Sequence, residues 1–183
     1  MRIIGGKYRG KKLNPPQTDH IRPTTDRMRE SLFNMLEHGT GPGIRGSKIL
    51  DLFAGAGALG IEALSRGAGH ITFIDNDPRA MKLIKQNTAL IQNPENTAYI
   101  TVDGAKISNN LGQFDIIFID SPYNKDLITP VLLNLNSQDL VSENGIVIIE
   151  HSASEDINLT EFFVEIKSRK MGDATFSILE MKL

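Results

Sequence analysis

Lys48-Ile49-Leu50-Asp51-Leu52-Phe53-Ala54-Gly55-Ala56-Gly57-Ala58-Leu59-Gly60 decides the fold. The apolar run over 48–53 reads as a buried strand, and a helix is expected over 59–65. Between them Gly55, Gly57 and Gly60 fit G-x-G-x-x-G, in the strand-to-helix context the pattern requires. Glycine there permits a tight turn and lets a ligand approach the backbone closely. Outward from this stretch, strands are expected at 70–75, 97–102, 114–119 and 145–150. Helices are expected from Asp77-Pro78 towards Ile91 and over 127–135, with proline in a first turn. Apolar strands alternating with helices make a parallel sheet covered on both faces. Segments 162–167 and 174–181, joined by the polar Arg169-Lys170-Met171-Gly172-Asp173, read as a hairpin. The expected fold is α/β and Rossmann-like, mostly parallel, with an antiparallel C-terminal end.

Before this unit, residues 2–13 read as a short hairpin punctuated by Gly5, Gly6 and Gly10. Asn14-Pro15-Pro16-Gln17 follows as an extended linker. Thr24 or Thr25 then caps a helix with Met28, Leu32, Met35 and Leu36 on one face. Glycines 39, 41, 43 and 46 break the chain, so the expected division is 1–40 and 41–183.

The 183 residues carry a net charge of −2, unevenly spread. Residues 1–30 hold eight basic and three acidic side chains, a balance of +5 that leaves −7 for the rest. Such asymmetry points to a basic arm beside an acidic body. With no cysteine, disulfide and thiolate chemistry are excluded. Four histidines without ligand spacing make a zinc site unexpected. No leader peptide and no run near the ~20 apolar residues of a membrane span are seen, so a cytoplasmic protein is expected.

Asp75 lies 20 residues past Gly55 at a strand end, where a carboxylate takes the hydroxyls of a ribose. Asp51, Asp103 and Asp120 close three further strands, giving four acids read as being in register. An acidic rim suits a cationic adenosine cofactor better than the pyrophosphate of NAD. Asp120-Ser121-Pro122-Tyr123 ends the run 114–119. A carboxylate beside an aromatic face is a way to hold a nucleobase by its amino group.

At these residues the chain resembles a known group. Residues 50–60 resemble the cofactor loop of class I S-adenosylmethionine-dependent methyltransferases. Asp120-Ser121-Pro122-Tyr123 resembles the D/N-P-P-Y motif of those that methylate exocyclic nitrogens of bases. Two further segments, Met1-Arg2-Ile3-Ile4-Gly5-Gly6-Lys7-Tyr8-Arg9-Gly10 and Ile21-Arg22-Pro23-Thr24-Thr25-Asp26-Arg27-Met28-Arg29-Glu30-Ser31-Leu32-Phe33-Asn34, are similar to the RsmD-type 16S rRNA (guanine-N2)-methyltransferases. The resemblance implies a seven-stranded sheet, S-adenosylmethionine as methyl donor, and one guanine of small-subunit rRNA as target. It implies that Asp51, Gly55 and Gly57 line the methionine end of the cofactor, with Phe53 and Ala54 among the cofactor-binding residues. Asp75 would take the ribose, and Asp103, with Gly104 and Ala105, the adenine. Asp120, Ser121, Pro122 and Tyr123 would hold the target base. The family usually has proline where Ser121 stands, which removes rigidity and adds a hydroxyl.

Lys7, Arg9, Lys11, Lys12, Arg22 and Arg27 are the expected grips on RNA phosphates. The partner is then 16S rRNA or an assembling 30S subunit, with no membrane or metal, and the chain is expected to be a monomer. The competing readings are a methyltransferase of DNA or another base amine, an NAD-dependent oxidoreductase, and a nucleic-acid-binding module without catalysis.

Overall fold

Seven strands form one sheet in the order β3-β2-β1-β4-β5-β7-β6. They are β1 (Lys48–Leu52), β2 (His70–Asp75), β3 (Thr97–Thr101), β4 (Phe114–Ile119), β5 (Val141–Ser152), β6 (Phe163–Met171) and β7 (Ala174–Met181). The helices are α1 (Asp26–Glu37), α2 (Ala58–Ser65), α3 (Pro78–Ala89) and α4 (Ile128–Ser137). The computed structural model describes residues 1–16, 25–39, 41–92, 95–123 and 125–182. β3 through β5 pair in parallel, whereas β7 is antiparallel to both β5 and β6. The chain steps outward one way from β1 to β3 and the other way from β4, so the strand order reverses between β1 and β4. That switch point is where open α/β sheets hold ligands.

Period-two burial explains the layers. Ile49, Ile71, Phe73, Ile116, Phe118, Ile146 and Ile148 face α1, α2 and α3. Leu50, Leu52, Ile74, Ile117, Ile119, Val147 and Ile149 face α4. Both sides being covered is why these strands read as nearly continuous apolar runs. Thr25 caps α1 by accepting the Met28 N–H at 3.3 Å, and Asp77 caps α3 by accepting that of Arg79 at 2.8 Å.

The structure departs from expectation at several places, and β5 spans Val141–Ser152 where 145–150 is expected. β1 stops at Leu52, because Phe53 turns into a left-handed backbone with φ 57°. β6 runs on to Met171, so Arg169 and Lys170 are paired strand residues and the turn is only Gly172-Asp173. Gly172, at φ 67°, supplies the backbone such a short turn needs. The N-terminal arm, read as a hairpin, has a single antiparallel bridge, Arg2 to Lys12.

The cause lies in where the arm's backbone donors go. Ile4 and Gly5 give their N–H groups to the Glu62 carboxylate at 2.7 and 2.8 Å. Lys7 bonds the Ser65 carbonyl at 2.7 Å and Tyr8 the Ser65 hydroxyl at 2.9 Å. The ends of the arm still pair as a hairpin would, Ile3 donating to the Lys11 carbonyl at 2.9 Å and Leu13 to that of Met1 at 3.1 Å, while α2 takes the donors between them. Ile3 and Leu13 enter the same core cluster as Leu32 and Phe33 of α1. Glu62 is buried and also pairs with Arg66 Nε at 2.8 Å, while Arg66 reaches Glu37 at 3.0 Å and lies 5.0 Å over the Phe33 ring. Gly5 is required beside it, since a Cβ there would stand 2.4 Å from the Arg66 guanidinium.

Glu62→Ala leaves two arm donors unpaired and strips Arg66 of its buried partner, a change that costs about 3–5 kcal/mol. Denaturant unfolding checks this; a loss below about 1 kcal/mol would class the cluster with ordinary surface pairs.

Candidate functional site

The glycine loop is shaped from below by a buried acid. Asp51 is 1% exposed and accepts the Gly60 N–H at 2.9 Å. Burial pushes its carboxyl up to about 7; the Gly60 N–H opposes this, and the charge of Asp75 adds to it. Gly60 cannot carry a side chain, because a Cβ would stand 2.4 Å from the Phe73 ring and 2.9 Å from Asp51 Oδ2. Above the loop there is room: a Cβ on Gly55 meets only the Phe53 carbonyl, at 3.8 Å. Gly57 begins α2 at φ 77°, and Ala54 donates to the Ile74 carbonyl at 3.0 Å.

Asp75 ends β2 and steadies the same loop. Its Oδ2 accepts the Gly55 N–H at 2.9 Å and its Oδ1 the Asp77 N–H at 2.8 Å. A carboxylate offers about four acceptor positions, so two remain for a pair of hydroxyls. Asp103 accepts the Ala105 N–H at 3.0 Å, and Lys106 lies 3.6 Å from its other oxygen. Gly104 is buried against Phe53, whose ring would stand 3.1 Å from a Cβ there. This donor and acceptor set fits a cationic adenosine cofactor: two acids, an open glycine turn and spare acceptors on Asp75.

The four acids are staggered rather than in register. Leu52 pairs with both Ile74 and Ile119, so Phe53, Asp75 and Asp120 share one level. Asp51 lies two residues below that level. Asp75 pairs with Thr101, so Asp103 lies two residues above it. The rim thus has three exposed or half-exposed acids and one beneath it.

On the far side of β1, Asp120 follows β4 directly. Ser121 is buried, Pro122 is exposed, and Tyr123 donates its hydroxyl to Glu150 Oε1 at 2.8 Å. Glu150 comes from β5 and is 4% exposed. It went unremarked in the sequence because it closes an apolar run; the signal available was an acid at the end of a fifth parallel strand.

The expected RNA grips divide. Lys7, Arg9, Lys11, Lys12 and Arg27 are exposed, while Arg22 lies outside the described residues. Arg29, counted with the arm's positive charge, is buried, donating to the Arg2 carbonyl and to Asp26, both at 2.8 Å. Lys7 binds at the far end of α2, about 12 Å along that helix from the loop. Lys7 therefore does not stand beside the loop. The arm does return to the loop: Asn87 accepts the Asn14 N–H at 2.8 Å and donates to the carbonyls of Asn14 at 3.1 Å and Ala56 at 2.9 Å. A lone asparagine in a helix gave no hint of this link.

Residues 1–180 match the model of the family described as Conserved hypothetical protein 95. The chain belongs to that family. "Ribosomal RNA small subunit methyltransferase D" of Haemophilus influenzae is 30% identical over 184 residues, covering 98% of this chain and 93% of that protein. The protein of the same name from Escherichia coli K12 is 35% identical over 151 residues, covering 82% and 74%. A solved structure of a hypothetical protein from Thermus thermophilus superposes with a TM-score of 0.78 at 28% identity, covering 97% and 98%. Among the described residues no cluster of three potential metal ligands occurs, and no helix is long and apolar enough to cross a membrane.

Asp51 carries a pH signature. Its folded pKa, about 7, lies above the ordinary 3.8, so its contribution to stability is largest at low pH and is lost as pH rises through 7. Asp51→Asn can still accept from Gly60 and is never charged. In thermal melts of the unliganded chain it should change little near pH 3, below the unfolded pKa, stabilise increasingly between about pH 4 and 7, and stabilise most at pH 8. A melting difference independent of pH would show that Asp51 titrates normally.

Proposed function

We propose that this chain is an S-adenosylmethionine-dependent 16S rRNA methyltransferase whose acceptor is the exocyclic N2 amine of a guanine. The observation that carries the reading is the shared level of Asp75 and Asp120 on the two neighbours of β1. Two carboxylates two strand spacings apart, roughly 10 Å, across an open glycine loop support a reading in which one takes the ribose and the other the base amine. The names borne by its relatives favour rRNA over DNA and methyl transfer over NAD chemistry.

Bound S-adenosylmethionine supplies a methyl group on a sulfonium, an electrophile that needs no further activation. Asp75 would hold its ribose hydroxyls, Asp103, Gly104 and Ala105 its adenine, and the loop from Phe53 to Gly57, over Asp51, its methionine end. The guanine amine is a poor nucleophile, since its lone pair is delocalised into the ring. Asp120 would accept one of its N–H groups and the Ser121 carbonyl the other, drawing the nitrogen toward a tetrahedral shape with its lone pair aimed at the methyl. The amine loses a proton on gaining the methyl group, and Asp120 would stand beside it as the acceptor. Tyr123 would stack on the base, a contact worth about 1–3 kcal/mol. No covalent protein intermediate is needed; alignment of nitrogen and methyl carries the rate. The base must leave its stack to reach this turn. Lys7, Arg9, Lys11, Lys12 and Arg27, with Arg22, would hold phosphates away from the reacting base. Such a substrate places the protein in the cytoplasm.

Asp120→Ala should abolish methyl transfer and leave cofactor affinity intact; near-normal turnover removes Asp120 from the reaction. Asp75→Ala should weaken S-adenosylmethionine binding in calorimetry, and unchanged affinity overturns the ribose assignment. Tritiated methyl transfer offered to 30S subunits, naked 16S rRNA and DNA should label RNA alone, on guanine N2; label on DNA or on another base overturns the acceptor assignment.

A further inference from the structure

Lys7 of the arm lies about 12 Å along α2 from the glycine loop, and the other end of the sheet adds cations at the edge that carries Asp120. β7 is antiparallel to β5 and β6 antiparallel to β7, so β6 runs in the same direction as β5. Its last residues therefore emerge at the same edge as the Asp120 turn. The pairing is explicit: Glu150 lies opposite Phe176, and Phe176 opposite Arg169. His151 lies opposite Thr175, and Thr175 opposite Lys170. Phe176 packs in the cluster with α1 to α3, so Arg169 shares that face and Lys170 takes the other. Arg169 is two strand spacings, roughly 10 Å, from the Glu150 that holds Tyr123.

Both cations are exposed, and neither forms a salt bridge among the described residues. Residues 31–183 carry a balance of −7, yet Lys167, Arg169 and Lys170 put three positive charges into four positions. A simpler use of such charges is to keep an exposed edge strand from pairing with another chain. β6 already has a register shift between Glu165 and Lys167 that serves this purpose, and edge protection does not require the cations to gather at the catalytic end. A guanidinium also matches a phosphate with two parallel hydrogen bonds, which an edge charge does not need.

We propose that the end of the β6–β7 hairpin, through Arg169 and Lys170, binds the RNA phosphate backbone beside the target base. The occupant is RNA because Arg169 and Lys170 are exposed cations without a carboxylate ion-pair partner among the described residues, at the sheet edge that carries the base-holding turn. The inference rests on the methyltransferase reading above. It adds the hairpin, at the edge of the Asp120 turn, to the N-terminal arm as a second grip on RNA.

The test replaces Arg169 and Lys170 together by glutamine in the full chain and measures methyl transfer to 16S rRNA and 30S subunits across a salt series. Expected are unchanged S-adenosylmethionine affinity by calorimetry, an unchanged kcat at saturating RNA, and a KM raised several-fold. The slope of log affinity against log salt should flatten by about 1.4–1.8, the loss of two phosphate contacts. Lys182→Gln, an exposed cation beyond the end of β7 at the opposite edge of the sheet, should leave both quantities as in the wild type. An unchanged KM and slope in the double variant overturns the inference, as does an equal change in Lys182→Gln. If the wild-type chain itself bound no S-adenosylmethionine, the methyltransferase reading would fail instead.

Discussion

The hydrogen bond from the Gly60 N–H to Asp51 is the constraint on which the site depends. It ties the end of the central strand to the first turn of α2 and so sets the path of everything between them. The bond forces two choices on the sequence. Position 60 must lack a side chain, because carboxylate and Phe73 ring already occupy its surroundings. Position 53 must leave the strand abruptly, and it does so in a backbone conformation that costs a non-glycine residue about 1–3 kcal/mol. A carboxyl buried this far is unfavourable as an anion, so the unliganded loop holds electrostatic strain that a nearby cation would relieve. Stability and cofactor recognition then pull on Asp51 in opposite directions, as is common where a site is prepared for a charged ligand.

The same loop is held from outside by the N-terminal arm. Glu62, Ser65 and Asn87 present side-chain and backbone partners to residues 4–14, and each lies on a helix that starts near the loop. The arm is thus structural as well as basic. Its backbone closes the polar surface of α2 and α3, while its lysines and arginines project outward. This explains why Gly6 carries a positive φ of 74° and a Cβ there would stand 1.9 Å from the Ser65 carbonyl oxygen: the arm lies directly on the helix backbone.

Most of the fold was legible because β1, β2, β4 and the second half of β5 are buried apolar runs and because α1 and α3 begin at recognisable side-chain caps. β2, β4 and β7 are found over the residues expected, and Asp77-Pro78 does open α3. What failed to show was whatever depends on partners distant in sequence. The arm looked like a hairpin since glycine spacing reports turns and not the acceptor a donor will find; Glu62 lies 58 residues from Ile4. Arg169 and Lys170 looked like a loop since charge and brevity outweigh β-propensity in a strand exposed along most of its length. The positions of the acids were legible but their heights were not, as register is decided by strand pairing. Asn87 was invisible for the same reason, since a single buried polar residue has no pattern, whereas Glu150 shared the strand-end position of the other acids.

The serine at position 121 becomes intelligible once the turn is seen from β5. A second proline would have stiffened the chain between Asp120 and Pro122. Here the turn is fastened at its other end, where the Tyr123 hydroxyl meets a nearly buried Glu150 at 2.8 Å. A hydrogen bond of this kind contributes about 0.5–1.5 kcal/mol. Such a bond fixes the ring plane, a property that proline at 121 could not supply. Ser121 itself is buried, so its main chain is confined by packing even though its φ is freer than a proline's. Rigidity in this turn comes from a partner across the sheet and not from the local chain, which ties the geometry of the base-holding residues to β5 and, through β5, to the hairpin that ends beside them.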